Sequence, residues 1–257
     1  VNLAKRVHKN LGGLANAILR TIIKENNKLI ILDENTPIDI VSEYLSHPKW
    51  LINKWIKDYS FEDAKLMAEW NNKLPKIWFR VNNLEYSSTK FINYLKKHKI
   101  EFEQFKYIPA FITTSKNQEL LKCDIFSDGK ITVQDPSAGL VVQLVDPQKN
   151  ESIVDICAAP GGKTSYMADK LDNTGCIHAF DVDQNRINRL EDSLNRLKIT
   201  NTIIDLLNIT KEKINMTDKM LIDVPCSGTG VMSKRADIRW RRSIDEILEM
   251  HLLQRKI

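Results

Sequence analysis

The fold class is indicated by the stretch Asp155-Ile156-Cys157-Ala158-Ala159-Pro160-Gly161-Gly162-Lys163-Thr164. This stretch joins an apolar strand to a helix through a glycine-rich turn. The strand is predicted over Ser152 to Ile156, and a helical pattern begins at Lys163. Adjacent glycines let backbone N–H groups approach a polar or anionic ligand closely. The spacing is neither that of a P-loop nor that of the dinucleotide fingerprint, so a pyrophosphate ligand is the weaker interpretation.

A second run places a carboxylate and a thiol at the end of another strand. The run is Asp223-Val224-Pro225-Cys226-Ser227-Gly228-Thr229-Gly230, and the apolar segment Met220 to Ile222 precedes it. Ligands of open α/β sheets bind at the carboxyl ends of the strands. The two runs together therefore predict a nucleotide-like cofactor beside a cysteine.

Helices and strands alternate from residue 134 onward, which is typical of a parallel sheet with helices on both faces. The strand Cys176 to Phe180 ends at Asp181, a position suited to ribose hydroxyls. The stretch Thr202 to Leu207 ends at Asn208, a candidate for the adenine edge, and Asp205 is the alternative if that strand ends earlier. Ribose and adenine contacts without a phosphate cradle favour S-adenosyl-L-methionine as the cofactor.

Both runs resemble those of the Sun (Fmu) family of ribosomal-RNA cytosine-5 methyltransferases, in particular the bacterial small-subunit rRNA enzyme. The segments Val133 to Ala138 and Asp237 to Trp240 are similar to the family as well, and so are Gly13 to Arg20 and His47 to Leu51. The resemblance implies a Rossmann-like S-adenosylmethionine methyltransferase sheet. The residues expected to bind the cofactor are Cys157, Ala158, Ala159, Pro160, Gly161, Gly162, Lys163, Asp181, Asn208 and Asp223.

The resemblance further implies covalent catalysis at a cytosine. A thiolate adds to C6, C5 then attacks a sulfonium methyl group, a base removes the C5 proton, and the thiol is expelled. In this family the attacking cysteine lies in a later Thr-Cys-Ser motif, and the Pro-Cys-Ser cysteine assists product release. Cys226 is therefore expected to assist release beside the catalytic Asp223, with the nucleophile beyond Ile257. In DNA cytosine-5 methyltransferases, by contrast, the Pro-Cys cysteine is itself the nucleophile.

Three regions are expected along the chain. Residues 1–60 form an α-helical N-terminal (NusB-like) remnant and linker, 61–133 a small α+β RNA-binding module, and 134–257 a truncated methyltransferase domain. The first region is predicted to hold one helix from Leu3 to about Ile31. The module is predicted to include short strands near Phe105 to Ile108 and Leu120 to Ile125. The family sheet has three more strands, so the chain is expected to be a fragment whose strand ending at Ile222 forms an edge.

Composition permits nucleic-acid binding without requiring it, because 38 Lys and Arg against 33 Asp and Glu give a net charge of only +5. No apolar run approaches the length of a membrane span, and no signal peptide is visible. Four dispersed cysteines argue against a metal site or disulfides and favour a reducing, cytoplasmic setting. The protein is expected to be a monomer. Basic residues beyond Cys226 are candidates for rRNA phosphate contacts: Lys234, Arg235, Arg239, Arg241 and Arg242.

Several alternatives stay open at this point. Basic side chains of the module either follow RNA phosphates or form a solvated face; they are Lys76, Arg80, Lys90, Lys96, Lys97 and Lys99. Cys157 is either a residue of the cofactor site or a small apolar residue packed in the core. Lys163 either approaches the cofactor or the phosphate backbone, or is a solvated side chain. The whole protein has the alternatives of a tRNA or DNA cytosine-5 methyltransferase, or of a truncated RNA-binding relative without catalytic activity.

Overall fold

The structure, a computed structural model, describes residues 2–8, 10–25, 31–208 and 216–257. The chain divides into two compact units, Val1–Lys73 and Leu74–Ile257. The first boundary therefore lies at Lys73 rather than at the predicted residue 60. The reason is that the helix Phe61–Asn72 buries Phe61 and Ala68 in the core of the first unit.

The described part of the first unit contains five α-helices and no strand. Its core is formed by Val41, Leu45, Ile52 and Phe61, which lie on helices joined by short turns. The predicted single helix from Leu3 to about Ile31 is interrupted near His8, whose ring accepts the Asn10 amide, and residues 26–30 lie outside the described part. The helices are α1 (Asn2–Val7), α2 (Leu11–Glu25), α3 (Ile38–Leu45), α4 (Lys49–Asp58) and α5 (Phe61–Asn72).

The second unit begins with an antiparallel sheet of order β2-β3-β1-β4, with its helices in the connections after β1 and β3. This order is that of a split β-α-β module. Its own core includes Phe79, Phe91, Leu95 and Ile112. The elements are β1 (Trp78–Val81), α6 (Ser88–Lys97), β2 (Phe102–Gln104), β3 (Phe111–Thr114), α7 (Asn117–Leu120), α8 (Asp124–Ser127) and β4 (Ile131–Val133).

Two predicted strands of this module are wrong. Strand β2 ends at Gln104, so the segment Phe105 to Ile108 is a turn in which Ile108 N–H donates to the Phe105 carbonyl. The segment Leu120 to Ile125 belongs to α7, α8 and the turn between them. Leu120 and Ile125 are both buried, and they reach the core from helical turns rather than from an alternating strand.

A parallel sheet of order β7-β6-β5-β8 follows within the described residues. The chain runs from β5 outward to β6 and β7 and then crosses to β8 on the other side of β5. The switch point of this topology, where α/β sheets bind ligands, lies at the carboxyl ends of β5 and β8. Strand β8 pairs with β5 alone in the described part, which makes it the predicted edge. The elements are α9 (Pro136–Val145), β5 (Ser152–Ile156), α10 (Gly162–Lys170), β6 (Cys176–Asp181), α11 (Gln184–Arg196), β7 (Thr202–Leu206), β8 (Lys219–Ile222), α12 (Ile238–Arg241) and α13 (Ile244–Gln254).

One core joins the module to the parallel sheet. Ile153, Met167 and Ile177 of the sheet layer pack in the same cluster as Phe111 of the module. The module therefore has a fixed position against the sheet. Across the part of the chain that the structure describes, no helix combines the length and apolar character needed to cross a membrane.

Candidate functional site

The glycine-rich turn leaves β5 through a backbone that only certain residues adopt. Cys157 has φ of 61° and Gly161 has φ of 95°, so both lie in the left-handed region. A Cβ added at Gly161 would also meet Leu190 Cδ1 at 2.5 Å. The Ala158 amide donates to the Phe180 carbonyl at 2.9 Å, which ties the turn to β6. The turn is thus held rigidly at the start of α10, where N–H groups of the first helical turn point toward a ligand.

Asp155 lies beneath this turn and is almost fully buried, with 1% of its surface exposed. Its Oδ2 accepts the Thr164 hydroxyl at 2.6 Å, and no described residue bonds to its Oδ1. Burial raises the pKa of Asp155 to about 7, against the opposing effects of Thr164 and the Lys163 charge. A buried carboxyl group that is largely neutral below that pH costs less to bury than a carboxylate.

Replacing Asp155 with asparagine should change how stability depends on pH. The unfolded carboxyl group has a pKa of about 3.9, so the folded protein retains a proton that the unfolded chain releases. The group therefore makes the free energy of unfolding fall as pH rises from about 4 to about 7. Asp155→Asn keeps an acceptor for Thr164 and should flatten this fall, which urea unfolding at about pH 5 and about pH 8 measures.

A matched control for this experiment is Asp192→Asn, which alters an exposed carboxylate of α11. The control should follow the pH curve of the parent. Parallel curves for the parent and Asp155→Asn would show that the Asp155 carboxyl group titrates alike in the folded and unfolded chains.

Asp181 ends β6 as predicted, and its carboxylate is buried with 2% exposure. Its Oδ1 accepts the Val182 amide at 2.9 Å, and its Oδ2 accepts the Ala159 amide at 3.3 Å. Arg186 lies 3.2 Å from the same Oδ2 and donates to the Ala159 carbonyl at 2.7 Å. Asp181 and Arg186 together hold the backbone of Ala159 on both sides, so the carboxyl end of β6 is bonded directly to the glycine-rich turn.

The second motif meets the first at the switch point. The Asp223 amide donates to the Ile156 carbonyl at 3.1 Å, which extends the β5–β8 pairing by one residue. Lys163 pairs with Asp223 across the crevice, with a nitrogen–oxygen distance of 2.5 Å. The cation at the start of α10 thereby joins the glycine-rich turn to the acidic residue of the cysteine motif.

Cys226 is exposed on a loop that later elements hold in place. Arg242 Nε donates to the Ser227 carbonyl at 3.0 Å, and Gln254 Nε2 donates to the Pro225 carbonyl at 2.7 Å. The thiol is therefore accessible at the carboxyl edge while the backbone on both sides of it is fixed. Burial and the nearby Asp181 charge raise the pKa of the other site thiol, Cys157, which favours the packed interpretation over a thiolate.

The remaining predicted cofactor residues lie around the same edge. Ala158 and Ala159 are buried, Pro160 is exposed, and Gly162 begins α10. Strand β7 ends at Leu206, so Asn208 is an exposed residue just past the strand and Asp205 is an exposed residue within it. Both stay candidates for the adenine edge.

The basic residues beyond Cys226 divide into buried and exposed members. Arg239 is only 6% exposed, and burial lowers its pKa, so its predicted role in binding RNA phosphates is wrong for this conformation. Arg242 is half-buried against the Ser227 carbonyl. The other three members, Lys234, Arg235 and Arg241, are exposed. Lys234 pairs with Asp135, and Arg241 pairs with Asp237 at 3.1 Å.

The phosphate role proposed for Arg80 is also wrong, because this residue has 0% exposure. The other basic candidates of the module are all exposed. Sequence reasoning missed two more residues of the site. One is Arg186, which could have been found because it lies in the first turn of α11, three residues after the helix cap Asp183. The other is Gln134, which donates to the Gly162 carbonyl at 2.9 Å and is marked by no sequence pattern.

Comparison with known proteins assigns the family. Residues 142–257 match the family described as 16S rRNA methyltransferase RsmB/F, and residues 47–120 match the ferredoxin-like domain of RsmF/B-like methyltransferases. The chain belongs to the RsmB/F family. The matched residues 142–257 contain both the glycine-rich turn and the cysteine motif, and the Rossmann-like methyltransferase sheet is confirmed.

Individual relatives and solved structures match most of this chain or nearly all of it. Ribosomal RNA small subunit methyltransferase B of Proteus mirabilis is 35% identical over 252 residues, which are 96% of this chain and 58% of that protein. The crystal structure of PH0851 has a TM-score of 0.80 at 28% identity and covers 99% of this chain and 57% of that one. A methyltransferase homologue from Pyrococcus horikoshii has a TM-score of 0.69 at 28% identity, over 86% of this chain and 73% of its own. The chain thus spans little more than half the length of the curated relative.

Proposed function

We propose that the protein transfers a methyl group from S-adenosyl-L-methionine to C5 of a cytosine in small-subunit rRNA. The observation that supports this most directly is the meeting of the glycine-rich turn and the cysteine motif at the switch point, joined by Lys163 and Asp223. A cofactor at the turn and a base at Cys226 would share one crevice. The name of the Proteus mirabilis relative supports the rRNA substrate.

The charges at this edge of the sheet fit S-adenosylmethionine better than a nucleotide polyphosphate. Burial is the main cause of the raised pKa of Asp155, and the nearby charges of Asp223 and Asp181 raise it further. The adjacent Lys163 already pairs with Asp223, which leaves a polyphosphate little cationic support there. An acidic edge favours a ligand with net positive charge, and the N–H groups at the start of α10 suit a single carboxylate.

The cysteine chemistry follows from the elements that hold Cys226. S-adenosylmethionine, when bound, supplies an electrophilic methyl group. The chain must present a cytosine with its C6 open to a thiolate. It must also stabilise a proton on N3, a role suited to the Asp223 carboxylate as a hydrogen-bond acceptor, with Lys163 beside it. Cys226 on its exposed loop would assist expulsion of the attacking thiol after the methyl transfer, and the attacking cysteine would lie in sequence beyond Ile257.

The RNA would be bound by exposed basic residues near this crevice, with the base taken from a single-stranded or unstacked position. Arg235 precedes α12 and Arg241 is its last residue, and the following Arg242 is bonded to the cysteine loop. The module of residues 74–133 would provide further backbone contacts through its exposed lysines. With an rRNA substrate, the protein would act in the cytoplasm.

Neutralising Arg235 and Arg241 together, as Arg235→Gln with Arg241→Gln, should weaken rRNA binding and reduce its salt dependence. Each lost phosphate contact removes about one unit from the slope of log K against log salt, so the pair should flatten it by roughly one to two units. Filter binding across a salt series measures the slope. The physical reason is that fewer counterions would be released when the RNA binds. Unfolding is not expected, because both side chains are exposed.

The matched control is Lys149→Gln with Lys170→Gln. Lys149 precedes β5 and Lys170 ends α10, so both lie toward the opposite, amino edge of the sheet. This pair removes the same charge and should leave the slope nearly unchanged. Equal slopes for the two double variants would assign Arg235 and Arg241 to the solvated surface.

The proposed reaction itself is tested with a chain extended to the length of its curated relatives. Radiolabelled S-adenosylmethionine and small-subunit rRNA should yield label in 5-methylcytosine after nuclease digestion. Label in another nucleoside, or in tRNA or DNA alone, would contradict the proposal and support one of the other methyltransferase classes.

A further inference from the structure

Arg80 of strand β1 is a fully buried cation at the boundary between the module and the parallel sheet. Its Nη1 lies 3.0 Å from Asp169 Oδ2 of α10, and its guanidinium group is 4.8 Å from the Tyr166 ring centroid. Burial lowers the pKa of Arg80 to about 10. A buried arginine loses much of its hydration, so it persists only where its donors are satisfied in a specific geometry.

The two other donors of this guanidinium lead to the same carbonyl oxygen. Nε donates to Gln134 Oε1 at 2.6 Å, and Nη2 donates to Ser165 Oγ at 2.9 Å. Gln134 Nε2 then donates to the Gly162 carbonyl at 2.9 Å, and the Ser165 hydroxyl donates to it at 3.1 Å. Arg80 thus holds both groups that fix the Gly162 carbonyl, the first peptide of α10 and the end of the glycine-rich turn.

We propose that Arg80 is a positioning residue for the cofactor turn, acting through Gln134 and Ser165 on the Gly162 peptide. The inference rests on the proposed function in taking the ligand of this turn to be S-adenosylmethionine. The carbonyl of Gly162 and the N–H groups beside it belong to one rigid peptide segment, so fixing the carbonyl sets the direction of those donors. The RNA-binding module would in this way contribute to the cofactor site without touching the cofactor.

A second arginine at the same boundary, Arg196, provides a control that distinguishes positioning of the turn from simple stabilisation of the boundary. Arg196 of α11 also links the sheet layer to the module, donating to the Phe126 carbonyl at 2.7 Å and to Thr132 Oγ1 at 2.9 Å. It lies at the far end of α11 from Asp181, and the guanidinium bonds that the described residues make with it all go to the module. Arg80 and Arg196 therefore both stabilise the boundary, and Arg80 alone leads to Gly162.

The experiment compares Arg80→Lys with Arg196→Lys in the 257-residue chain. Lysine keeps a cation beside Asp169 but cannot hold Gln134 and Ser165 in one plane. Arg80→Lys should weaken S-adenosylmethionine binding about tenfold in titration calorimetry, while Arg196→Lys should change it by less than about twofold. Gln134→Met leaves the Arg80–Asp169 pair intact and should weaken binding by about threefold to fivefold.

A second readout needs no cofactor. The Ser165 amide donates to the Gly161 carbonyl at 2.9 Å, so its hydrogen exchange reports on the first turn of α10. Arg80→Lys should accelerate this exchange relative to Arg196→Lys at equal global stability. If the two variants exchange alike there, the positioning role is overturned and Arg80 only holds the boundary together. If the parent binds no S-adenosylmethionine, the proposed function fails while the exchange comparison still decides the role of Arg80.

Discussion

Cys226→Ala, in a chain extended to the length of its curated relatives, should accumulate a covalent complex with rRNA containing ordinary cytosine. The expected reason is that attachment at C6 proceeds through another thiol, whereas expulsion of that thiol stalls without Cys226. The thiol is exposed on a loop fixed by Arg242 and Gln254, which is the observation that motivates this prediction. Denaturing gels would show the complex as a slowly migrating band that protease removes.

Cys157→Ala in the same extended chain is the matched control, because that thiol lies in the glycine-rich turn and is half-buried. It should form no such band. The 257-residue chain, in turn, should form no adduct with RNA carrying a mechanism-trapping cytosine analogue. If that chain is trapped through Cys226, then Cys226 is the nucleophile and the arrangement of the DNA enzymes applies.

Asp181→Asn should weaken S-adenosylmethionine binding by roughly 10- to 100-fold, the equivalent of losing one charge-assisted hydrogen bond of roughly 1.5–3 kcal/mol. The change keeps the side-chain volume but removes the charge that accompanies Arg186 and one acceptor of the turn. Both the proposed ribose contact and the clamp on Ala159 depend on that carboxylate. Titration calorimetry on the 257-residue chain measures the effect.

The control is Asp183→Asn, two residues further along. Asp183 is exposed and accepts the Arg186 amide at 3.0 Å as the cap of α11, and asparagine caps helices equally well. This variant should bind S-adenosylmethionine like the parent. A parent-like affinity for Asp181→Asn would mean that the ribose is bound elsewhere.

The parallel sheet and its site edge could be predicted because local patterns determine them. An apolar strand, two glycines and a helical pattern together predict the β5–α10 turn. The position of Asp181 at the end of the next strand predicts its place at the same edge of the sheet. The predicted ends of these elements differ from the structure by only one or two residues. The strands and helices of this half depend little on distant contacts for their identity.

The errors arise where tertiary packing decides. Arg80 and Arg239 look like surface cations in sequence, but Arg80 is buried against Asp169, a residue far away in the chain. The segment Leu120 to Ile125 has apolar residues that fit a strand or two short helical turns equally, and the packing against the module core selects the turns. The relay from Arg80 through Gln134 to Gly162 joins three segments, so no local pattern encodes it.

Hydrogen–deuterium exchange of the 257-residue chain with S-adenosylmethionine or ATP reports on the proposed cofactor site. S-adenosylmethionine should slow exchange in residues 157–164, 181–183 and 223–226, the segments that meet at the switch point, and ATP should not. Equal protection of these segments by ATP, or protection by S-adenosylmethionine confined to other parts of the chain, would contradict this prediction.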